Sequence, residues 1–439
     1  MSFLFKKKKD KSSTDSKDKK KDTKKKDSKK KDKKSMSKLS IDSLPNLLLA
    51  NILTIVSDEH HDNVSAYRLV CKLWSDVIVK QVPVRINFNK KTSDSKQLLG
   101  FYHVHRTIVK FSKISYLSFR ANKSLDVDLL LDLFNGSQKR FCESLVHLDI
   151  GKMELQTRDP KMQLINTVLK NFPNLAVLDI SENEINTASL RLFADSLSNN
   201  SSLQCLNISI NPIGDEEGCK LLGSKIFKES RNSIRFLNVR ACGINGVSIE
   251  QNHNNFNALE SLFFDDSTSS LYPKVHKIHS LLVGHNPLGV SGAATLEKLL
   301  LKNDSLGYLD MEYCSLSTDG FLMLSKALLQ NISLEFLDLS NNQINYTDEV
   351  RLFEENFEKH RQSKLVHLET SMNKWQYEKR KHNSESFLFP LLCLKNYDLR
   401  YTLVDCLSSI ENKGYYCPLK FRQLSVISDK PLYSQRKCE

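Results

Sequence analysis

The chain has 439 residues and a formal charge of +13, long enough for a large core or for two or three domains. Residues 1–38 hold eighteen Lys and six Asp, a surplus of +12, so the rest of the chain is close to neutral and global basicity gives no argument for specific nucleic-acid binding. Ten scattered cysteines without a Cys-x-x-Cys pair point to free thiols in a reducing compartment, and no apolar run reaches the roughly 18–20 residues that span a bilayer.

Residues 1–38 are Lys/Asp/Ser low complexity with almost nothing to bury, so a disordered tail is expected. Phe3, Leu4 and Phe5 precede the lysines in the wrong order for a signal peptide. Three roles stay open: a solubilising tail, a nuclear import signal read by an import receptor, or a contact with an anionic membrane. The expected location is cytoplasmic, nuclear or both.

Residues 39–80 carry two helical stripes. Asp42 or Ser43 can cap the first and Pro45 suits its first turn. Leu44, Leu48, Ile52 and Ile55 then recur at helical spacing, widened by Leu49, Leu53 and Val56. After the polar break Ser57–Asn63, Tyr67, Val70, Cys71, Trp74 and Ile78 form the second stripe. Forty residues cannot build much core alone, so this surface must cover the next domain or a partner. The phrase Leu44-Pro45-x-x-Leu48-Leu49-x-x-Ile52-Leu53, followed by Leu69-Val70-Cys71-Lys72-x-Trp74, resembles the F-box. That resemblance implies docking on the Skp adaptor of a Skp–cullin–F-box ubiquitin ligase by burial of a helix in a groove. Leu44, Pro45, Leu48, Ile52, Leu53, Val70 and Trp74 would lie at the adaptor interface or support it. The competing reading is a helical cap over the domain that follows.

From residue 82 to 375 one phrase recurs. Ser333–Ile344 reads SLEFLDLSNNQI, the L-x-x-L-x-L-x-x-N-x-L signature of a leucine-rich repeat, counted below as slots one to eleven. Slot one falls at Ile114, Leu145, Leu175, Leu203, Ile234, Leu259, Ile278, Leu306, Leu334 and Leu365, after a first strand marked by Val84, Ile86 and Phe88. Most spacings are 28–31 residues; the two around Leu259 are 25 and 19, so a helix-free loop is expected there, with Pro273 inside it. Elsewhere the interval holds a strand, a loop and about three helical turns. Helices are expected to begin on capping residues near Asp215, Ser291 and Thr318. The pattern resembles the ribonuclease-inhibitor subfamily of these repeats. It predicts an α/β solenoid, a horseshoe with parallel strands inside and helices outside, because strands pack about 4.8 Å apart and helices about 10 Å. The slot-nine Asn should bond loop backbone from repeat to repeat, with Cys242 and Cys314 replacing it in two of them.

Slots three, five, seven and eight point to the inner face. Slot five is acidic through much of the chain and slot three is rich in aromatics. A protein-binding surface is expected around Phe236, Tyr308, Tyr313 and Phe336, with Asp310 and Asp338 beside them. No catalytic constellation, phosphate loop or G-x-S-x-G is found, so no cofactor is expected. His103, His105, His276, His279 and His285 lack metal-ligand spacing. Residues 376–439 carry apolar runs outside the phrase and are expected to cap the last repeat.

The whole chain then reads as a non-enzymatic substrate-recognition subunit of the ligase, its repeats holding a protein substrate on the concave face. The alternatives are a plain repeat scaffold and a small-GTPase regulator, since Ran GTPase-activating proteins resemble the same subfamily.

Overall fold

The computed structural model describes residues 84–88, 113–122, 127–135, 139–155, 159–229, 231, 234–246, 257–265, 268–359, 363, 365, 367–370 and 373. All belong to the second of two units, divided between Leu44 and Pro45. The adaptor residues named above, the Lys-rich tail, the segment 376–439, and His103 and His105 lie outside the described residues.

One parallel sheet of ten strands runs through this unit. Its first six are β1 (Val84–Asn87), β2 (Ile114–Ser118), β3 (His147–Asp149), β4 (Val177–Asp179), β5 (Cys205–Asn207) and β6 (Phe236–Asn238). A two-residue pair, β7 (Phe264–Asp265) and β8 (Ser270–Leu271), forms a separate antiparallel hairpin. The large sheet resumes with β9 (Ser280–Leu282), β10 (Tyr308–Asp310), β11 (Phe336–Asp338) and β12 (His367–Glu369). From β2 onward the register matches slot to slot: Tyr308 faces Phe336, and Asp310 faces Asp338. The period of two turns slots four and six away from the face of Tyr308 and Asp310, into the core between sheet and helices. Leu309, Met311, Leu337 and Leu339 are fully buried there, with slot-one Leu306 and slot-eleven Leu316 beside them. Each such side chain contributes roughly 1.5–3 kcal/mol.

Helices form the second layer. They are α1 (Val127–Asn135), α2 (Lys139–Ser144), α3 (Asp159–Asn171), α4 (Thr187–Asn199), α5 (Glu216–Gly223), α6 (Ala258–Phe263), α7 (Gly289–Lys302), α8 (Ser317–Gln330) and α9 (Asp348–Lys359). In α4, Leu190, Phe193, Ala194 and Leu197 are buried at helical spacing, an apolar stripe of the width one core-facing helix needs. Its N-cap Asn186 accepts from Ser189 N, as Asp215 accepts from Gly218 N at the start of α5. The expected starts at Ser291 and Thr318 are two and one residues late. Helices α7 and α8 begin at Gly289 and Ser317, after Leu288 and Leu316, which offer no side-chain cap. The next repeat supplies the acceptor instead: Gly289 N donates to Cys314 O and Ser317 N to Asn342 O, both at 3.0 Å.

The interval from Ile234 to Ile278 corrects the sequence reading. Strand β6 pairs directly with β9, so there is no repeat strand at Leu259. Leu259 and Leu262, with Ser261 and Phe263, lie in α6, which is buried along its whole length. The interval is one long repeat in which α6 takes the helix position between α5 and α7, and whose additions are the hairpin and a 3-10 turn at Val275–Lys277. The helix-free loop expected there therefore contains a helix. Asn257 accepts from Glu260 N at 2.8 Å and so caps six residues that would otherwise be too few to hold a turn.

The expected Asn ladder is present. Asn183 Oδ1 accepts from Met153 N, and Asn183 Nδ2 donates to Ile150 O and Ile180 O. Asn211, Asn286, Asn342 and Asn373 repeat the arrangement. Cys242 and Cys314 stand in two of these slots, with Sγ 3.4 and 3.5 Å from Ile208 O and Val283 O. Burial pushes both thiols up to about 12, so they remain neutral donors and poor nucleophiles. A second ladder lies at the other edge. Asn200, Asn303 and Asn331, three residues before slot one, accept from Leu203, Leu306 and Leu334 N. Each donates back to the previous repeat, to Leu169, Val275 and Leu300 O.

Candidate binding surface at the strand ends

The chain turns sharply after each strand, at slot eight. Ala121, Lys152, Glu182, Ile210, Ala241, His285, Tyr313 and Asn341 occupy that slot, and all have φ between +50° and +60°. The turn aims each slot-eight N–H at the slot-seven carbonyl of the next repeat: Lys152 to Ser181 O, Glu182 to Ser209 O, Ile210 to Arg240 O, His285 to Glu312 O and Tyr313 to Ser340 O. Asn tolerates this left-handed backbone; a β-branched or bulky residue there is an outlier. The slot-eight side chains thus form a row along one rim of the sheet. In its C-terminal half, Ile210 and Tyr313 are 53% and 57% exposed, and the His285 ring stacks flat on Tyr313 at 5.3 Å.

Slot seven carries two arginines, and each reaches over a glycine to carboxylates two repeats away. Arg120 crosses Gly151, where a Cβ would lie 2.2 Å from its Nη1. It donates to Ser181 Oγ at 3.0 Å and to Glu182, and its Nη1 lies 3.4 Å from Asp179 and 3.6 Å from Asp149. Arg240 crosses Gly284, where a Cβ would lie 3.2 Å from its Cζ. It donates to Asp310 and, at 2.7 Å, to Glu312 Oε2. Glu312 also accepts from Asn341 Nδ2 at 3.3 Å, and His285 Nε2 lies 3.4 Å from it.

The electrostatics differ between the two. Burial and the neighbouring Asp179 raise the Asp149 carboxyl to about 6, against the pull of Arg120 and bonds from Gly151 N and Ser118 Oγ. Glu182 is held below its ordinary value by Lys152 and Arg120, acting against burial.

The structure brings most of the sequence-predicted surface together. Tyr308 and Phe336 stack at 4.4 Å, nearly coplanar, on β10 and β11. Asp310 and Asp338 follow them in register, and Phe236 lies two strands away beyond Ser280. Tyr308, Phe336 and Phe236 are only 6%, 5% and 3% exposed, and burial drives the Tyr308 hydroxyl upward in pKa. They form the floor of the surface, and Tyr313 is the member at its rim. Sequence reading missed Arg240, Glu312, His285 and Ile210. The available signal was positional: Arg then Gly in successive slot sevens, and residues foreign to a left-handed turn at slot eight. Among the described residues no group of three or more His, Cys, Asp or Glu side chains could hold a metal ion, and no helix is long and apolar enough to cross a membrane.

Residues 199–221 and 330–347 match the family described as Leucine Rich repeat. No curated protein matches the chain. Among solved structures, the chain is similar to one in the crystal structure of the Rad7 and Elc1 complex in yeast, at 14% identity over 75% of this chain and 87% of that one, with a TM-score of 0.32. It is also similar to the leiomodin-1 actin-binding site 2, at 14% identity over 51% of this chain and 95% of that one, with a TM-score of 0.24. The two matched segments and the ten-strand register together show leucine-rich repeats in an α/β array, a fold that points to a protein-interaction scaffold.

Proposed function

We propose that this protein is the substrate-recognition subunit of a Skp–cullin–F-box ubiquitin ligase. Residues 39–80 dock the adaptor and the repeats hold a protein substrate. The supporting observation is one of adjacency: the F-box-like phrase ends at Trp74, and the first strand of the ten-strand repeat sheet starts at Val84. The chain itself performs no chemistry on this reading. It raises the effective concentration of substrate beside the ligase.

Co-purification with the Skp adaptor tests this, with wild type beside Leu53→Arg and Trp74→Ala. Wild type is expected to recover stoichiometric adaptor. Arginine at 53 puts a charge in an apolar contact and should abolish recovery while circular dichroism stays native. If wild type fails to bind, residues 39–80 become a helical cap and the plain scaffold takes precedence. A small-GTPase regulator needs an exposed Arg or Asn able to reach a nucleotide. Arg120 and Arg240 are both engaged by carboxylates, which takes those two out of that role. A GTP-hydrolysis assay over a small-GTPase panel tests it directly.

A further inference from the structure

The ten-strand sheet ends at β12, which pairs with β11 and with no other described strand. Helix α9 comes before β12 and packs back on α8, so no described element lies beyond this edge. Along the array each repeat hands its slot-six N–H forward to the slot-five carbonyl of the next. Ile150 N donates to Asp179 O at 2.9 Å, Val239 N to Leu282 O at 2.9 Å and Met311 N to Asp338 O at 2.9 Å. In the repeat of β12 that donor is Thr370 N, and no acceptor among the described residues meets it. Yet Thr370 is 7% exposed, Leu368 3% and Asn373 0%. Buried backbone donors are paired in folded proteins, so this edge needs a cover that supplies a carbonyl at strand spacing.

A stretch later in the chain has the pattern of one. Residues 389–399 read FPLLCLKNYDL. Phe389, Leu392, Leu394 and Leu399 fall at slots one, four, six and eleven. Asn396 falls at slot eight, where Asn341 holds φ +60°, a turn that Asn makes at less cost than most residues. Slot nine departs, with Tyr397 for Asn, and for that reason the run fails the full phrase. Pro390 at slot two forgoes one N–H, which suits an edge strand. The loss is small, because slots two and three donate to the same carbonyl, as Gln204 N and Cys205 N both do to Ala176 O. Phe389 follows Leu365 by 24 residues, and QYEKRKHNSES at 376–386 has no apolar stripe, so the interval fits a repeat without its helix. The open donor comes from the bonding pattern and the slots come from the sequence; neither observation depends on the other.

We infer that residues 391–393 of this same chain occupy the open edge as an eleventh strand of the large sheet, parallel to β12. The register continues from β11 and β12, where Phe336 pairs with His367, Leu337 with Leu368 and Asp338 with Glu369. Leu391 then pairs with His367, Leu392 with Leu368 and Cys393 with Glu369, and Thr370 N donates to Cys393 O. Leu392 and Leu394 extend the buried row of Leu337, Leu339 and Leu368. Leu391 extends slot three past Phe336 and His367. The concave recognition surface therefore runs one strand beyond β12 and ends on an apolar residue two strands from the Tyr308–Phe336 stack. Tyr397 has no amide, so the Asn ladder stops at Asn373.

The test uses the full chain carrying Glu369→Cys, oxidised mildly with diamide, digested and read by mass spectrometry. Parallel neighbours in register stand about 4.8 Å apart, within the roughly 4.4–6.8 Å between Cα atoms that a disulfide accepts. A bridge from position 369 to the native Cys393 is therefore expected. His367→Cys, out of register, should give at least tenfold less of that bridge, and Asp338→Cys, two strands away, none. A second measurement reads the period of two. Leu392→Asp should lower the urea midpoint at least three times as far as Leu391→Asp, because only position 392 turns into the core. Absence of the 369–393 bridge, its formation between two chains rather than within one, or equal midpoint shifts at 391 and 392 would overturn the inference. Adaptor recovery does not read this edge, so the ligase reading and the eleventh strand stand or fall separately.

Discussion

Arg120 and Arg240 solve the same geometric problem with different neighbours. Each starts from slot seven, crosses a glycine and ends on acids two repeats on. The strand crossed by Arg120 has Asp149 at slot five, and the strand crossed by Arg240 has Leu282. Beside the first bridge the two rim charges, Lys152 and Glu182, meet each other at 2.8 Å. The second concentrates its negative charge on one side, next to an uncharged rim. One device thus sits in two settings that differ at slot five, Asp149 against Leu282, and at the rim, Lys152 against His285.

The largest way to break the comparison is to remove each arginine. Arg240→Ala leaves Asp310, 1% exposed, with its bond from Glu312 N but without its cation and should cost about 3–5 kcal/mol. Arg120→Ala should cost less, about 1–3 kcal/mol, because Lys152 still holds Glu182, and Asp179 keeps bonds from Ser181 and Asn207. Urea midpoints of the two variants measure the difference, and equal losses would make the bridges equivalent.

The next test sharpens it through pH. The Asp149 carboxyl, at about 6 in the folded chain, lies above its unfolded value near 4. Its contribution is present below about pH 4 and lost as pH rises through about 6. Asp149→Asn should therefore stabilise the protein at pH 7.5, by about 1–3 kcal/mol, and flatten the dependence between pH 4 and 6. Leu282 has nothing to titrate at the matching place, so Leu282→Asn should leave that dependence intact.

Smaller effects come from the crossed glycines. A Cβ at Gly284 would meet Asp310 Oδ1 at 2.9 Å and the Glu312 backbone oxygen at 3.0 Å. Gly284→Ala should cost about 1–2 kcal/mol. At Gly151 the nearest atoms belong to the Arg120 and Ser181 side chains; moving the guanidinium aside gives up bonds of its bridge, so Gly151→Ala should also cost about 1–2 kcal/mol. The smallest effect is a gain. Ile210→Asn relieves a left-handed β-branched residue and should add about 1 kcal/mol in the same urea experiment.

Much of the fold was legible because the phrase repeats what one layer of the core requires. Leu337, Leu339 and Asn342 have one structural solution each, and their equivalents recur at near-constant spacing. The misreading at Leu259 has a physical cause. Leu259, Leu262 and Phe264 fit slots one, four and six, but Leu259, Leu262 and Phe263 equally fit a helix face, and a short apolar run does not separate the two periods. Asn257 with Glu260 three residues on was the discriminating signal. The second Asn ladder was also readable, as Asn-x-Ser-Leu at 200–203, 303–306 and 331–334. The arginine bridges were not. Their ends lie 59 to 72 residues apart, and pairing them needs the reach of a side chain across two strands. Nor could spacing alone say that Tyr308 and Phe336 would be covered while Tyr313 stands clear. That depends on the backbone turning left after slot six.

The Asn ladder after the strands has a direction. Each slot-nine Asn accepts from two N–H groups of the repeat before it, and donates both to that repeat's slot-six carbonyl and to its own. Asn286, for example, organises the loop of Cys242 and Ile244 more than the loop that follows it. Damage in such an array does not spread evenly. An amide lost at Asn286 loosens the chain on its N-terminal side first, and hydrogen exchange there should quicken around Cys242 and Ile244 before it quickens around Cys314. The array behaves in this respect like a one-way ratchet, in which each unit vouches for its predecessor.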